Sequence, residues 1–339
     1  MKAVVFLVLA LFLLGRAATP TSAAAIDGAL GAVLQADGPR LTEELAALSS
    51  QSLSAKDRQL SLCIADRLQG RDRRPVSASP LIRQVILAYR TYWRQATVAG
   101  DHGLAAEPAL VVQLGKILGR PDLPAMDVIE PVLNKALRRE GVWSLQGKTG
   151  ALRDLMIWAR QKTLHRQVTL PEGHWRTSVF VLDDFLSPGW SRYLSCGRTG
   201  TGGWAKPEGL YVVLPAYKTL EGEPFRVSFL AHETQHFSDM ARFPNLKSWE
   251  KEYRAKLVEL TYARKTLDST LRRFARDQAD DPDLPHSYAN KQILAVLRTR
   301  LDLPADGDPA AVPPERLHQA AAAELMADSE RRLAAVTDH

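Results

Sequence analysis

The feature that most constrains the fold is the segment His232–His236, which reads HETQH. On an α-helix, residues four apart lie on the same face about one turn apart, so both imidazoles can approach one metal ion. Glu233 then projects toward a metal-activated water molecule without having to bind the ion. The chain must therefore place this segment on a helix, with both rings directed at a further ligand from another element.

The residues around the motif favour a buried helix. Pro224 follows Gly222-Glu223, and proline suits a first helical position. Neither proline nor glycine occurs again until Pro244, and the apolar stretch Val227–Ala231 leads into the motif. We predict a helix over Phe225–Phe243, with the metal inside the fold.

Zinc is the ion that suits this arrangement. It binds neutral imidazoles and lowers the pKa of water to near 7, so a nearby carboxylate can remove the proton as the water attacks a carbonyl. We therefore expect Zn²⁺ on His232 and His236, with Glu233 as the general base. The Gly-x-x-His continuation of metzincins is absent, since Asp239 and Arg242 stand at those positions.

A catalytic zinc site has three protein ligands and one open position, so a carboxylate from the next helix is needed. The segment Leu246–Leu260 is amphipathic, and Glu252 and Glu259 lie about 20° apart on its helical wheel. Glu252 is our preferred ligand, followed by Glu259 and then by Glu250. The choice between Glu252 and Glu259 stays open.

The motif followed by a helix carrying Glu252-Tyr253-Arg254-Ala255 resembles the gluzincin type of zincin metallopeptidases. The resemblance covers about Leu210 to Ala275. It implies that His232 and His236 are the paired metal ligands, that Glu233 is the general base and that Glu252 is the third ligand. It also implies an edge strand before the motif helix, along which a substrate can add as a further strand; Leu210–Leu214 holds that place.

The sequence departs from this family at Lys256, where the family has an aspartate four residues after the ligand glutamate. The acceptor that orients the histidine rings is therefore open between Asp239 and Glu259. No spacing singles out the donor that would stabilise the transition state among Tyr253, Tyr262, His286 and Tyr288.

The N-terminus has the pattern of a signal peptide over residues 1–25. Lys2 precedes a 12-residue apolar run, Ala3–Leu14, and small residues follow as far as Ala25. The run is shorter than the roughly 20 residues that span a bilayer. We expect an exported chain, periplasmic or secreted, without stable membrane insertion after signal cleavage.

Cys63 and Cys196 are the only cysteines. In an oxidising compartment they could form a disulfide, or each could be buried as a free thiol, and the sequence does not decide between these alternatives.

The chain as a whole is predicted to be α+β, predominantly helical with a small sheet. Residues 26–166 form a helical N-terminal region, and residues 167–277 form a zincin-like α+β core with strands at Ser178–Leu182 and Leu210–Leu214. Residues 278–339 form C-terminal helices joined by acidic and proline-rich linkers. The glycine-rich loop Gly197–Gly209 is expected to rim the cleft.

The charge balance gives no reason to expect nucleic acid, because 44 basic residues face 38 acidic ones spread along the chain. We predict an exported zinc-dependent hydrolase, a metallopeptidase acting on a peptide or protein substrate. The alternative is a non-catalytic exported zinc-binding or envelope scaffold protein. A fourth protein ligand on the metal would favour the scaffold, and an open position would favour the hydrolase.

Overall fold

The computed structural model describes residues 22–49, 53–71, 73, 75 and 77–337. The predicted signal peptide, residues 1–25, lies almost wholly outside this part of the chain. Within it, no helix combines the length and apolar character needed to cross a membrane.

The N-terminal part is a helical array with its own apolar core. Ser79 caps the start of the longest of these helices through its side chain, and Gly100 ends it in a left-handed conformation. The face of this helix with Tyr89, Tyr92 and Trp93 is buried. The helices are α1 Ser22–Gln35, α2 Gly38–Ser49, α3 Ala55–Leu68, α4 Pro80–Ala99, α5 Glu107–Ile117 and α6 Met126–Arg139.

A five-stranded mixed sheet follows, with the order β1-β2-β3-β5-β4 and a single parallel pair, β3 with β5. The predicted strand Ser178–Leu182 lies within β3, and the predicted strand Leu210–Leu214 is present as β5, which ends one residue earlier, at Val213. A short helix, α7 Trp190–Leu194, separates β3 from β4. The strands are β1 Trp143–Thr149, β2 Leu152–Leu170, β3 Gly173–Pro188, β4 Gly203–Lys206 and β5 Gly209–Val213.

Two expectations about this region are wrong. The helical N-terminal region ends with α6 at Arg139 and does not continue to Arg166, because strands β1 and β2 of the sheet follow. The buried run Leu155–Trp158 in β2 has apolar residues on both faces, and such a short run has no helical or strand periodicity. In addition, β5 is not an edge strand, because it pairs with both β3 and β4. The edge strand on this side of the sheet is β4, and β1 forms the opposite edge.

The helices that carry the motif come next. The path from Glu223 to Arg242 is continuously helical, as predicted, although it passes through a π-helical segment, Arg226–Ala231, directly before the motif. The predicted helix Leu246–Leu260 is present as Ser248–Tyr262. The elements are α8 Glu223–Phe225, α9 His232–Arg242, α10 Ser248–Tyr262, α11 Leu267–Arg276, α12 Pro285–Arg300 and α13 Pro314–Thr337.

The motif helix lies between two apolar clusters. One packs Val179 and Val212 of the sheet against Phe225 and Phe229, and the other joins α10 to α13. The molecule is therefore α+β and predominantly helical, with the motif buried where sheet and C-terminal helices meet.

Cys63 and Cys196 form a disulfide, with their Cα atoms 6.3 Å apart. It ties α3 to the residues just after α7, where the glycine-rich loop begins. The question that the sequence left open is thus answered in favour of pairing.

Candidate metal centre

Three predicted ligands lie together between α9 and α10. The Nε2 atoms of His232 and His236 are 3.1 Å apart, because the two residues are one turn apart on α9. Glu252 faces them from α10, with Oε1 3.3 Å from His236 Nε2 and Oε2 3.7 Å from His232 Nε2. The three residues offer one ligand atom each within 4.8 Å of one another and could hold a metal ion.

The spacing fits a small tetrahedral ion. With metal–ligand bonds of about 2.0–2.1 Å, the ligands at two corners of a tetrahedron lie about 3.3–3.4 Å apart. The distances of 3.1 and 3.3 Å that involve His236 are close to this value, and the 3.7 Å between His232 Nε2 and Glu252 Oε2 is slightly longer. Two imidazole nitrogens and one carboxylate oxygen are also the donor set that zinc accepts in catalytic sites.

Glu259, the second choice as a ligand, instead orients the first histidine. Its Oε1 lies 2.7 Å from His232 Nδ1, and the contact is buried. A carboxylate there holds the proton on Nδ1, so Nε2, which faces the cluster, is the nitrogen that can release its proton and bind a metal. The third choice, Glu250, pairs with Arg332 at 3.2 Å and does not belong to the cluster.

Asp239, the alternative acceptor, does not contact either ring. It accepts hydrogen bonds from Gln235 and Arg254 instead. Within the described part of the chain, Nδ1 of His236 is buried without a hydrogen-bond partner. The orienting contact therefore exists for the first histidine of the motif and is absent for the second.

The histidine and glutamate side chains of the cluster stabilise each other's charged forms. Burial opposes the charged ring, yet the hydrogen bond to Glu259 and the neighbouring carboxylates raise the pKa of His232 to about 9. Burial also opposes the carboxylate of Glu252, but its contacts with His236 and His286 hold the pKa of Glu252 far below its usual range. The carboxylates of Glu259, Glu252 and Glu233 thus favour a positive charge at His232, as they would favour a bound cation.

Lys256 contacts α12 rather than the histidine rings. Its Nζ donates to the backbone oxygen of His286 at 2.9 Å and to Asn290 Oδ1 at 2.7 Å. Burial lowers the pKa of Lys256 to about 8. This lysine therefore fixes the first turn of α12 and leaves ring orientation to Glu259.

Two cavities meet at the cluster. One, of about 440 Å³, includes Tyr217 and Lys256 in its wall, and the other, of about 420 Å³, includes Trp204 and Lys251. Both are lined by Glu233, which is half-buried, and by His232 and His286. The proposed base thus borders the space on either side of the metal ligands.

The glycine-rich loop and β4 form one wall of this cleft, as expected of the loop. Thr201 and Gly203 line both cavities, and Gly203 begins β4. β4 pairs with β5 on one side only. The free edge of the sheet therefore lies beside the metal cluster.

Tyr217 is the residue that sequence reasoning missed. Its ring packs against Phe225 and Phe229, with centroids 5.6 and 5.9 Å away. A Cβ at Gly202 would come within 2.4 Å of its hydroxyl oxygen, so only glycine permits this approach. Burial, followed by the charges of Glu233 and Glu259, raises the pKa of Tyr217 above its ordinary value, and the phenol stays protonated at neutral pH.

The four hydrogen-bond donors considered from the sequence lie in different surroundings. His286 lines both cavities, and its Nδ1 lies 2.8 Å from Glu252 Oε2. Tyr253 instead donates to Glu324 on α13, and Tyr288 packs on Trp249. Tyr262 lines neither cavity. Tyr217 lies 15 residues before the motif, where no helical spacing could have indicated it.

No protein family, curated protein or solved structure matches this chain.

Proposed function

We propose that this chain is an exported zinc-dependent hydrolase, a metallopeptidase of the gluzincin type. The observation that supports it most is the approach of two imidazole nitrogens and one Glu252 oxygen to a common point, beside the cavity-lining carboxylate of Glu233. A zinc ion bound there would supply a Lewis acid that lowers the pKa of water toward 7.

The residues of the cleft would then have separate roles in the hydrolysis. Glu233 accepts a proton from a water molecule in the cavity and passes it to the leaving amine. Tyr217, protonated and facing the same cavity, donates a hydrogen bond to the substrate oxygen as negative charge develops on it. An extended peptide would lie along the free edge of β4 and add to the sheet by main-chain hydrogen bonds.

The test combines metal analysis with digestion. The purified full chain should hold zinc and should cleave members of a mixed peptide library, and a chelator should abolish the cleavage. Glu233→Gln should bind zinc normally and lose turnover, because the amide cannot accept the proton. Glu250→Gln is the matched control, since Glu250 lies two residues before the ligand Glu252 on α10 but pairs with Arg332. Full turnover by Glu233→Gln would refute the assigned base.

A second candidate is a non-catalytic zinc-binding scaffold, because His286 lies against Glu252 and could close the fourth position. Four protein ligands are typical of structural zinc sites. If His286→Ala lowers zinc affinity as strongly as His236→Ala does, the scaffold is supported. Unchanged affinity leaves the position open for water, as a hydrolase requires.

A further inference from the structure

Behind the metal cluster, one fully buried arginine contacts three carboxylates. The side chain of Arg254 has no exposed surface. Its Nε donates to Asp239 at 3.0 Å, its Nη2 to Glu172 at 2.7 Å and its Nη1 to Asp328 at 2.7 Å. Asp239 is on α9, Glu172 is in the turn between β2 and β3, and Asp328 is on α13. Four separate elements therefore meet at a single guanidinium.

The ion pair between Arg254 and Asp239 lies close in sequence to the proposed metal ligands. Arg254 is two residues after Glu252 on α10, and Asp239 is three residues after His236 on α9. At 1.5 Å of rise per residue, Arg254 and Asp239 each lie about 3–5 Å from a metal ligand along their own helix. The Arg254–Asp239 pair is thus a cross-link between the two ligand-bearing helices, within one turn of a ligand on each.

Two of the three carboxylates around Arg254 are also paired with other arginines. Arg242 pairs with Glu172 at 2.9 Å, and Arg332 pairs with Asp328 at 2.7 Å. Together with Arg254 they balance the three carboxylates. Arginine suits this position because its planar fork holds several donors in fixed directions, which a lysine ammonium does not.

We propose that Arg254 is a positioning residue that sets the spacing of α9 and α10, and that α13 contributes to metal binding through Asp328. The inference rests on the proposed metal site. Metal ligands must lie within a few tenths of an ångström of their bonding positions. Losing the cross-link lets His236 and Glu252 move apart, and a buried carboxylate left without its partner drives that shift.

The test measures zinc affinity directly, by competition with a chromophoric chelator, in full-length variants. Arg254→Lys keeps the charge but loses the three-way contact, and Asp328→Asn removes only the contact from α13. Arg300→Gln is the control, because it breaks the ion pair between α12 and Glu324 of α13 without touching Arg254. Circular dichroism and thermal melting establish that each variant is folded at the temperature used.

Arg254→Lys and Asp328→Asn should each raise the zinc Kd by about three- to ten-fold, less than the roughly 10- to 100-fold lost with a partner that contacts a ligand directly, because both act through the spacing of the two helices. Their Co²⁺ derivatives should show altered visible absorption, which a purely structural role would leave unchanged. Arg300→Gln should bind zinc and Co²⁺ as the parent does.

Wild-type zinc affinity in folded Arg254→Lys and Asp328→Asn would overturn the proposal, as would an equal loss in Arg300→Gln. If Arg254→Lys does not fold, the result for Asp328→Asn decides. Failure of the parent chain to bind zinc would instead refute the proposed metal site, so the two failures are distinguishable.

Discussion

The contact between Glu259 and His232 leads to a specific prediction about the zinc affinity of the site. Glu259 is buried, and its Oε1 is 2.7 Å from His232 Nδ1. As a carboxylate it can only accept, so Nδ1 keeps its proton and Nε2 is the nitrogen that releases its proton to bind the metal. In Glu259→Gln the amide can turn to donate to Nδ1, which favours the tautomer with a proton on Nε2, the atom that must bind the metal.

The expected loss is about 10- to 100-fold in zinc affinity, the usual cost of removing an outer partner of a ligating histidine. This corresponds to roughly 1.4–2.7 kcal/mol, since each factor of ten is about 1.36 kcal/mol. Zinc competition titration of the folded variant is the assay.

Arg273→Gln is the matched control for this prediction. Arg273 is half-exposed and pairs with the other carboxylate oxygen of Glu259 at 3.0 Å. Its loss should change zinc affinity by less than about five-fold, because an ion pair whose arginine is half-exposed is worth about 1 kcal/mol or less. Wild-type affinity in Glu259→Gln, or an equal loss in Arg273→Gln, would refute the reasoning.

Three further predictions concern catalysis, the disulfide and acid stability. Tyr217→Phe should lower kcat by about 10²–10³-fold with zinc affinity intact, as expected for one lost oxyanion donor, measured on any peptide that the parent cleaves. Replacing Cys63 and Cys196 together by serine should lower the free energy of unfolding by as much as about 5 kcal/mol in urea titrations, since the bridge spans 133 residues. Glu223→Gln should destabilise the chain at pH 6 and progressively less as the pH falls from 4.5 toward 2, followed by urea midpoints.

The pH dependence of the last variant follows from the contacts of Glu223. Burial opposes its charge, but backbone N–H groups of Thr266, Arg264 and Lys265 at the start of α11 lower the pKa of Glu223 to about 2. Its stabilising effect is therefore complete above about pH 4.5 and is lost as the pH falls through 2. A pH-independent difference from the parent would contradict this cause. For the other two variants, unchanged kcat or an unchanged urea midpoint would be the contrary result.

The metal cluster could be predicted from sequence because its geometry is local. His232 and His236 are one helical turn apart, and only a short turn separates their helix from Glu252. The same locality allowed the two helices to be placed within two residues of their observed ends. The helical repeat of 3.6 residues can be read from the spacing of residues along the sequence, so it indicates which side chains share a helix face.

The remainder depends on contacts between distant segments. Arg254 meets Glu172 and Asp328 across 82 and 74 residues, and no local pattern pairs them. β2 was missed because Leu155–Trp158 is apolar on both faces, which removes the alternation that marks a strand. The edge position of β4 depends on strand order, which sequence periodicity does not encode.

The most direct test of the central claim is the zinc content and zinc-edge X-ray absorption of the purified full chain, beside Glu252→Gln and Glu250→Gln. We expect one zinc per chain with two imidazole nitrogens and at least one oxygen as ligands, weakened retention in Glu252→Gln and full retention in Glu250→Gln. A parent chain that retains no zinc, or a Glu252→Gln variant that retains it as tightly as the parent, would refute the assigned metal site.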